Sequence, residues 1–375
     1  MTPRKLHVIS FDVPWPADYG GVIDVYYKLK ALHQAGVEVV LHCFQYGRSE
    51  APELREVCAE VHYYPRKTGL LSQLSPEPYI VRSRVSEALV KRLLEDTDPI
   101  LCEGLHTSYF LTDSRFADRK ILVRTTNVEH DYYSHLAAGE RNLLKRWFFR
   151  LEAFRLRRYE VLLARAEKIL AISPNDEKYF SDRFGSGKVC GIYAFHQYDT
   201  VLSQPGRGEF FLYHGKLDIA ENYRAVMDLL PVFAGSNGLP LKVAGMNPPG
   251  FLMREIEKYP AVELISNPSP SGMQQLISAA HGHLLITSQP TGLKLKLLAA
   301  LFQGRFAIVN PMMVEGTGLE SLCHVGKTTG ELRSLLQSVQ EMEFTADEAT
   351  KRNTVLEARF SNTGNALKII DLLKS

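Results

Sequence analysis

The chain has 375 residues, 45% hydrophobic and 23% charged, with no low-complexity tract, which is too long for one ordinary core and implies two domains. A formal net charge of +2 gives no global field for nucleic acid. Five cysteines (Cys43, Cys58, Cys102, Cys190 and Cys323), odd in number and never in a CxxC pair, argue against a disulfide framework or a zinc site and fit a reducing, cytoplasmic compartment.

The chain opens on "KLHVISF", read as a first strand rather than a signal peptide, since it is short, holds a His and is followed by no cleavage pattern. A loop "DVPWPADYGG", a helical pattern "VIDVYYKLKALHQAG" and a second strand "VEVVLHCF" complete a βαβ unit, with Gly36 as the helix stop. Gly20 and Gly21 let the first loop approach a substrate without a Cβ. "PILCEGL", "KILVRTTN" and "EKILAIS" continue the alternation. Asp96 to Asp98, "DTD", stand before a strand and read as a helix-ending surface loop. His106 follows "ILCEGL", where an imidazole can meet a ligand or serve only packing. In "TTNVEHDYY", Asn127 suits an N-cap and Glu129 a first helical turn. With His130, they can still face a ligand. The pattern "RNLLKRWFFRLEAFRLRRYEVLLARAEK" is a long basic amphipathic helix, either a core helix with a solvated face or a contact for anionic lipid.

"YDTVLSQPGRGE", Tyr198 to Glu209, reads as the linker, dividing the chain into residues 1–200 and 201–358. A second βαβ unit follows in "EFFLYHG", "KLDIAEN", "YRAVMDLLPVFAGSNG" and "PLKVAG", then "VELIS", "HGHLLITS" and "GRFAIVN". Gly245 ends a strand as a plain turn or a point of close approach, and Asn267 reads equally as a turn. After "HLLITS", Thr291 and Gly292 open a helix ending at Gly304. Lys294 lies in its first turn, unfavourable to the helix dipole unless an anion is bound there. Lys296, two residues on, is either a cation for a bound anion or a snorkelling surface residue. The amphipathic segment at about 360–375 can pack on either domain or back on the first. No His or carboxylate cluster has ligand spacing in sequence, so no metal is expected. No window reaches the roughly 18 apolar residues of a membrane span.

The order and spacing of "ADYGG", "EGLHTSYF" and "RTTNVEHDYY", then "LYHGKLDIAENYRAV", "LKVAG", "LISNPSP" and "TGLKLKLLAALFQGRFAIVN", resemble family-4 glycosyltransferases of the GT-B fold over nearly the whole chain. The resemblance implies an α/β protein of two Rossmann-like doubly wound domains facing a central cleft, the second holding a nucleotide-sugar and the first the acceptor. It implies transfer of a sugar to a saccharide or lipid-linked saccharide with retained configuration, no metal and no cofactor beyond the nucleotide-sugar co-substrate. Donor binding then falls to Gly215, Lys216, Gly245, Asn267, Thr291, Gly292, Lys294 and Lys296. His106 and Lys294 take the catalytic roles, and Gly20, Gly21, Asn127, Glu129 and His130 the acceptor side. Two glutamates of the family pattern fall at Thr291 and Ala299, and a lysine falls at Asn222. The rival readings are therefore a catalytically impaired protein binding a sugar or partner chain, and a nucleotide-sugar epimerase. A cytoplasmic location follows, with possible peripheral contact at the inner face of a membrane.

Overall fold

The computed structural model describes residues 5–235, 238–288 and 295–374. They form two compact units, the first holding residues up to Gln197 together with the stretch from Arg359, the second running from Tyr198 to Ala358.

The first unit is built on seven parallel strands: β1 (Lys5–Ser10), β2 (Glu38–Gln45), β3 (Glu60–Pro65), β4 (Ile100–Glu103), β5 (Ile121–Thr125), β6 (Lys168–Ala171) and β7 (Val189–Gly191), in the order 3-2-1-4-5-6-7. Every residue of β4 and β5 is buried, as a sheet covered on both faces requires. Helix α1 (Gly20–Gln34) returns the chain from β1 to β2. It stops where Gly36 takes φ 84°, the Gly36 N–H donating to His33 and the Val37 N–H to Leu32, a Schellman closure open to glycine because of its left-handed backbone. Helices α2 (Glu129–Gly139), α3 (Leu143–Tyr159) and α4 (Pro174–Phe184) follow. The long helix expected from Arg141 to Lys168 is shorter than its pattern, passing into a 3-10 stretch at Glu160–Arg165.

Four of the buried charges in this unit form one network. Lys28 of α1 donates to Glu103 at 2.7 Å and to Asp24 at 3.0 Å. Arg124 of β5 grips Asp24 with two bonds of 2.8 and 3.0 Å, and Asp24 accepts the Phe195 N–H at 2.8 Å. With both signs and their hydrogen bonds present, the desolvation of each charge is offset by its partners.

The second unit repeats the plan with β8 (Phe211–His214), β9 (Leu241–Gly245), β10 (Val262–Ser266), β11 (Gly282–Leu285), β12 (Phe306–Val309) and β13 (His324–Val325), ordered 10-9-8-11-12-13 and all parallel. Helix α5 (Ala220–Leu229) follows β8, and α6 (Leu295–Gln303) lies between β11 and β12. The two orders reverse direction between β1 and β4 and between β8 and β11, the switch points where open parallel sheets bind ligands beyond the strands' carboxyl ends.

The segment expected as a linker is tied down. The Leu202 N–H donates to Phe302, Gly206 and Phe344 exchange backbone bonds, and the Gly208 N–H donates to His281. The last helix, α7 (Asn362–Lys374), belongs to the first unit, where Ala366, Ile369, Ile370 and Leu373 share a core with Val25, Leu29 and Leu32 of α1.

Candidate functional site

At the carboxyl end of β8 the chain turns through Gly215 and Lys216. A Cβ on residue 245 would lie 1.9 Å from the Gly215 carbonyl oxygen, so glycine at 245 is what lets the β8 loop lie against the end of β9. The close approach expected at Gly245 is therefore made by the chain's own backbone. Asn267, just past β10, has φ 52°, donates its N–H to the Gly245 carbonyl at 2.9 Å and accepts the Asn247 N–H at 2.7 Å. Gly215, Gly245, Asn247 and Asn267 thus form one interlocked set of strand-end turns, with the asparagines in the left-handed region they tolerate better than most residues.

Lys296 reaches this set from α6. Its ammonium donates to the Asn222 side-chain oxygen at 3.0 Å and to the Tyr213 hydroxyl at 3.4 Å, and stands over the Tyr213 ring at 5.1 Å. Asn222 in turn donates from its side-chain nitrogen to the Lys216 carbonyl at 2.9 Å. The Lys216 side chain is exposed, with Asp218 4.0 Å away. Nearby, the Thr287 hydroxyl donates to the Glu221 carboxylate, and Asn310 bridges the Thr287 backbone with bonds of 3.1 and 2.7 Å. His214, at the end of β8, has its Nε2 buried without a partner among the described residues. Burial, with His283 and Lys296 beside it, holds this imidazole neutral. Thr291, Gly292 and Lys294 lie outside the described residues. Ala299 is 8% exposed on α6.

The carboxyl end of the first sheet carries a different chemistry. Gly21 sits where a Cβ would meet the Phe11 ring at 2.8 Å, whereas Gly20 is exposed at the start of α1. β4 leads through Gly104, at φ 73°, into a tight turn bearing His106. The His106 ring lies 5.3 Å from Phe11 and its Nδ1 is buried with no partner among the described residues. Burial, then the nearby Arg84 and Arg66, hold the imidazole neutral, well below the ordinary histidine range. Arg84 is itself buried, donating to the Phe11 carbonyl at 2.9 Å and the Ile80 carbonyl at 2.6 Å, and burial pulls its guanidinium down to about 9.

Beyond β5, Asn127 does not cap α2. The N-cap is Val128, whose side chain makes no capping bond. The free donors there are adjoined by Glu129, which is buried, accepts from the Thr126 hydroxyl at 3.2 Å and is pushed up to about 7 by burial. His130 belongs to a separate cluster: its Nε2 lies 2.8 Å from the Tyr179 hydroxyl, which donates to Glu160, and its Nδ1 lies 3.0 Å from Asp131.

His106 and Glu129 thus lie near the Arg84 charge, while Gly21 packs on Phe11 and His130 joins other partners. Arg84 escaped the sequence reading because it follows no strand directly, and Arg66 because β3, the strand it follows, was not read. At the opposite, amino-terminal end of the first sheet, His7, Asp96 and Asp98 place ligand atoms within 4.8 Å of one another, a grouping hidden in sequence because His7 is remote from the aspartates. Asp96 is taken by Lys5 at 2.9 Å, Arg119 at 2.7 Å and His7 at 3.0 Å. Two fixed cations on the central carboxylate oppose a third, so these residues do not fit a divalent ion.

No family model matches the chain. Over 341 residues it is 25% identical to an uncharacterized 44.6 kDa protein in the cps region of Klebsiella pneumoniae, covering 84% of each. Among solved structures, it superposes on Anabaena HepE in complex with UDP with a TM-score of 0.70 at 13% identity, 99% of both chains being covered. HepE is also known in complex with UDP and glucose. A glycosyltransferase from Rickettsia africae matches with a TM-score of 0.66 at 9% identity over 100% of this chain and 98% of that one. The catalytic domain of starch synthase IV from Arabidopsis thaliana, bound to ADP and acarbose, matches with a TM-score of 0.63 at 11% identity over 100% and 99%. The fold is that of these glycosyltransferases: two α/β units with parallel sheets, of the GT-B kind.

Proposed function

We propose that this protein transfers a sugar from a nucleotide-sugar to a saccharide or lipid-linked saccharide, with retained configuration and without a metal. The observation that carries the reading is the cluster of Lys216, Asn222 and Lys296 at the carboxyl end of β8, on a fold whose other members include proteins solved with UDP or ADP. As the sugar–phosphate bond breaks, negative charge grows on the diphosphate. Lys296 and Lys216, with Lys294, oppose that charge where it develops. The departing phosphate oxygen takes the proton of the acceptor hydroxyl on the face it leaves. His106, held neutral by burial, serves the transferred sugar, and Glu129 serves the acceptor side.

A thermal-shift series with UDP, ADP and GDP and their sugars tests the donor half, because a ligand binding only the folded state raises the melting point by mass action. No shift with any of them at saturating concentration would remove the reading.

A second reading, a protein that binds a nucleotide-sugar or saccharide without turnover, is favoured by one observation. The Lys296 ammonium already has Asn222 and Tyr213 as partners, and residue 299 is a buried alanine with no carboxylate to offer a ribose. A melting shift without donor hydrolysis or transfer selects it, and product formed without acceptor would instead select epimerisation.

A further inference from the structure

Helix α3 begins in the open. Leu143 is 73% exposed, Leu144 84%, Trp147 68% and Phe154 58%. This is no frayed end: the Asn142 side chain accepts the Leu144 and Lys145 N–H groups at 3.0 and 3.1 Å, an N-cap that fixes the first turn. The opposite face is anchored by buried Glu152, Ala153, Leu156 and Tyr159, with Glu152 accepting from the Tyr79 N–H at 2.7 Å and from Arg155 at 2.8 Å.

At 100° per residue, Leu143, Trp147, Leu151 and Phe154 fall on one stripe with Leu144 at its edge. Arg146, Arg150 and Arg157 run along one flank, and Arg158 lies on the stripe, its guanidinium 5.6 Å from the Phe154 ring. Glu152 is the helix's one carboxylate, and it is buried. The exposed face therefore combines large apolar side chains with cations alone, although the chain as a whole carries only +2. Beside Phe154, a cavity of about 660 Å³ is lined by Arg150, Arg157 and Arg183 together with Asp131 and Asp182.

We infer that α3 docks this protein on an anionic phospholipid surface, with Leu143, Leu144, Trp147 and Phe154 entering the headgroup–acyl boundary and Arg146, Arg150, Arg157 and Arg158 meeting lipid phosphates. The occupant follows from the charge pattern. Pairing this face with the same face of a second copy sets cations against cations, whereas an anionic bilayer satisfies the apolar stripe and its basic flanks together. The inference goes beyond sugar transfer and does not depend on it, since its test contains no nucleotide and no sugar.

The chain has two tryptophans, so Trp15→Phe leaves Trp147 as sole reporter. With vesicles of phosphatidylcholine plus about a third phosphatidylglycerol, the expected result is a blue shift of Trp147 emission and co-sedimentation, both lost with phosphatidylcholine alone and weakened by high salt. Leu144→Glu with Trp147→Glu abolishes co-sedimentation. Reversing Arg150, Arg157 and Arg158 to Glu weakens partitioning about a hundredfold or more, since three cations at about 1 kcal/mol each amount to about two decades at roughly 1.4 kcal/mol per decade. All these positions are exposed, and unchanged melting and circular dichroism confirm folded variants. Absence of wild-type binding to anionic vesicles overturns the inference. So does equal binding to neutral ones, or binding that survives both variant sets. Self-association in solution that the same variants abolish, without vesicle binding, assigns the face to a second copy instead.

Discussion

The ammonium of Lys296 sits 3.0 Å from the side-chain oxygen of Asn222, the residue whose amide nitrogen holds the Lys216 carbonyl. One lysine on α6 thus props the β8 loop from which the second lysine projects. Lys296 is therefore a strut, and under the proposed function it is also a charge on the diphosphate.

Lys296→Met tests which dominates. As a charge on a diphosphate, Lys296 contributes a charge-assisted hydrogen bond of about 1.5–3 kcal/mol. Its loss then weakens nucleoside diphosphate binding by roughly one to two decades and leaves the bare nucleoside nearly unchanged. Calorimetric titration of both ligands reads the difference, and an equal loss for both assigns Lys296 to the strut alone. Lys216→Ala and Lys294→Ala are expected to lose diphosphate affinity selectively as well.

Gly245→Ala forces a Cβ against the Gly215 carbonyl, where 1.9 Å separates them. Backbone must move, so the variant should unfold at lower denaturant, by about 2–3 kcal/mol as for overpacking elsewhere, and lose nucleotide binding with it. At Gly250, a new Cβ meets only the end of Arg254 at 3.5 Å. Gly250→Ala is the control, with a melting point close to that of the parent.

Ala299→Glu restores the carboxylate of the family pattern at a position only 8% exposed. A carboxylate placed there is desolvated with no designed partner. The expected outcome is a fall in melting temperature without tighter nucleoside binding. A tighter complex in a fully stable variant would show instead that a ribose pocket still opens there.

The sheets were largely legible because a strand buried on both faces is a continuous apolar run. "HLLI" and "FAIV" announce β11 and β12 without ambiguity. The strands that escaped are edge strands: β3, "EVHYYP", mixes charge with half-buried aromatics, while β7 and β13 are only three and two residues long. The candidate sites were legible wherever a residue follows a strand. Pairings across sequence were not. Nothing near Lys28 in sequence reveals that Glu103, 75 residues on, permits its burial, and Asn222 reads as a missing lysine until Lys296 is seen beside it. Asn127 misled because its composition suits a cap, yet the turn after β5 places Val128 there.

Glu129 gives a signature in pH. Burial lifts its carboxyl from 4.5 to about 7, so the folded state retains a proton that the unfolded chain has released between those values. Stability from this group therefore falls as pH rises from about 4.5 to 7 and stays reduced above. Glu129→Gln should remove that slope and stabilise the protein at pH 8 by up to about 3 kcal/mol, at 1.36 kcal/mol per pKa unit. Urea denaturation of both proteins at pH 5 and pH 8 measures it, and a gain equal at the two pH values would rule out a titrating Glu129 as the cause.

His106→Ala should lower turnover while leaving nucleoside diphosphate affinity intact, since the lysines proposed to meet the diphosphate belong to the other unit. Because its imidazole is neutral well below the ordinary range of 6.5, the wild-type rate should show no inflection near that pH from this residue. Lost diphosphate affinity in a folded variant would contradict the assignment.

The first unit is discontinuous along the chain, since α7 completes the core begun by α1. On the ribosome, residues 5–197 emerge long before the helix that covers them. The apolar flank of α1 must wait, uncovered, through synthesis of the entire second unit. Chaperone dependence should therefore concentrate on the half made first, and a fragment ending near residue 197 should be insoluble until a peptide spanning 359–375 is supplied in trans.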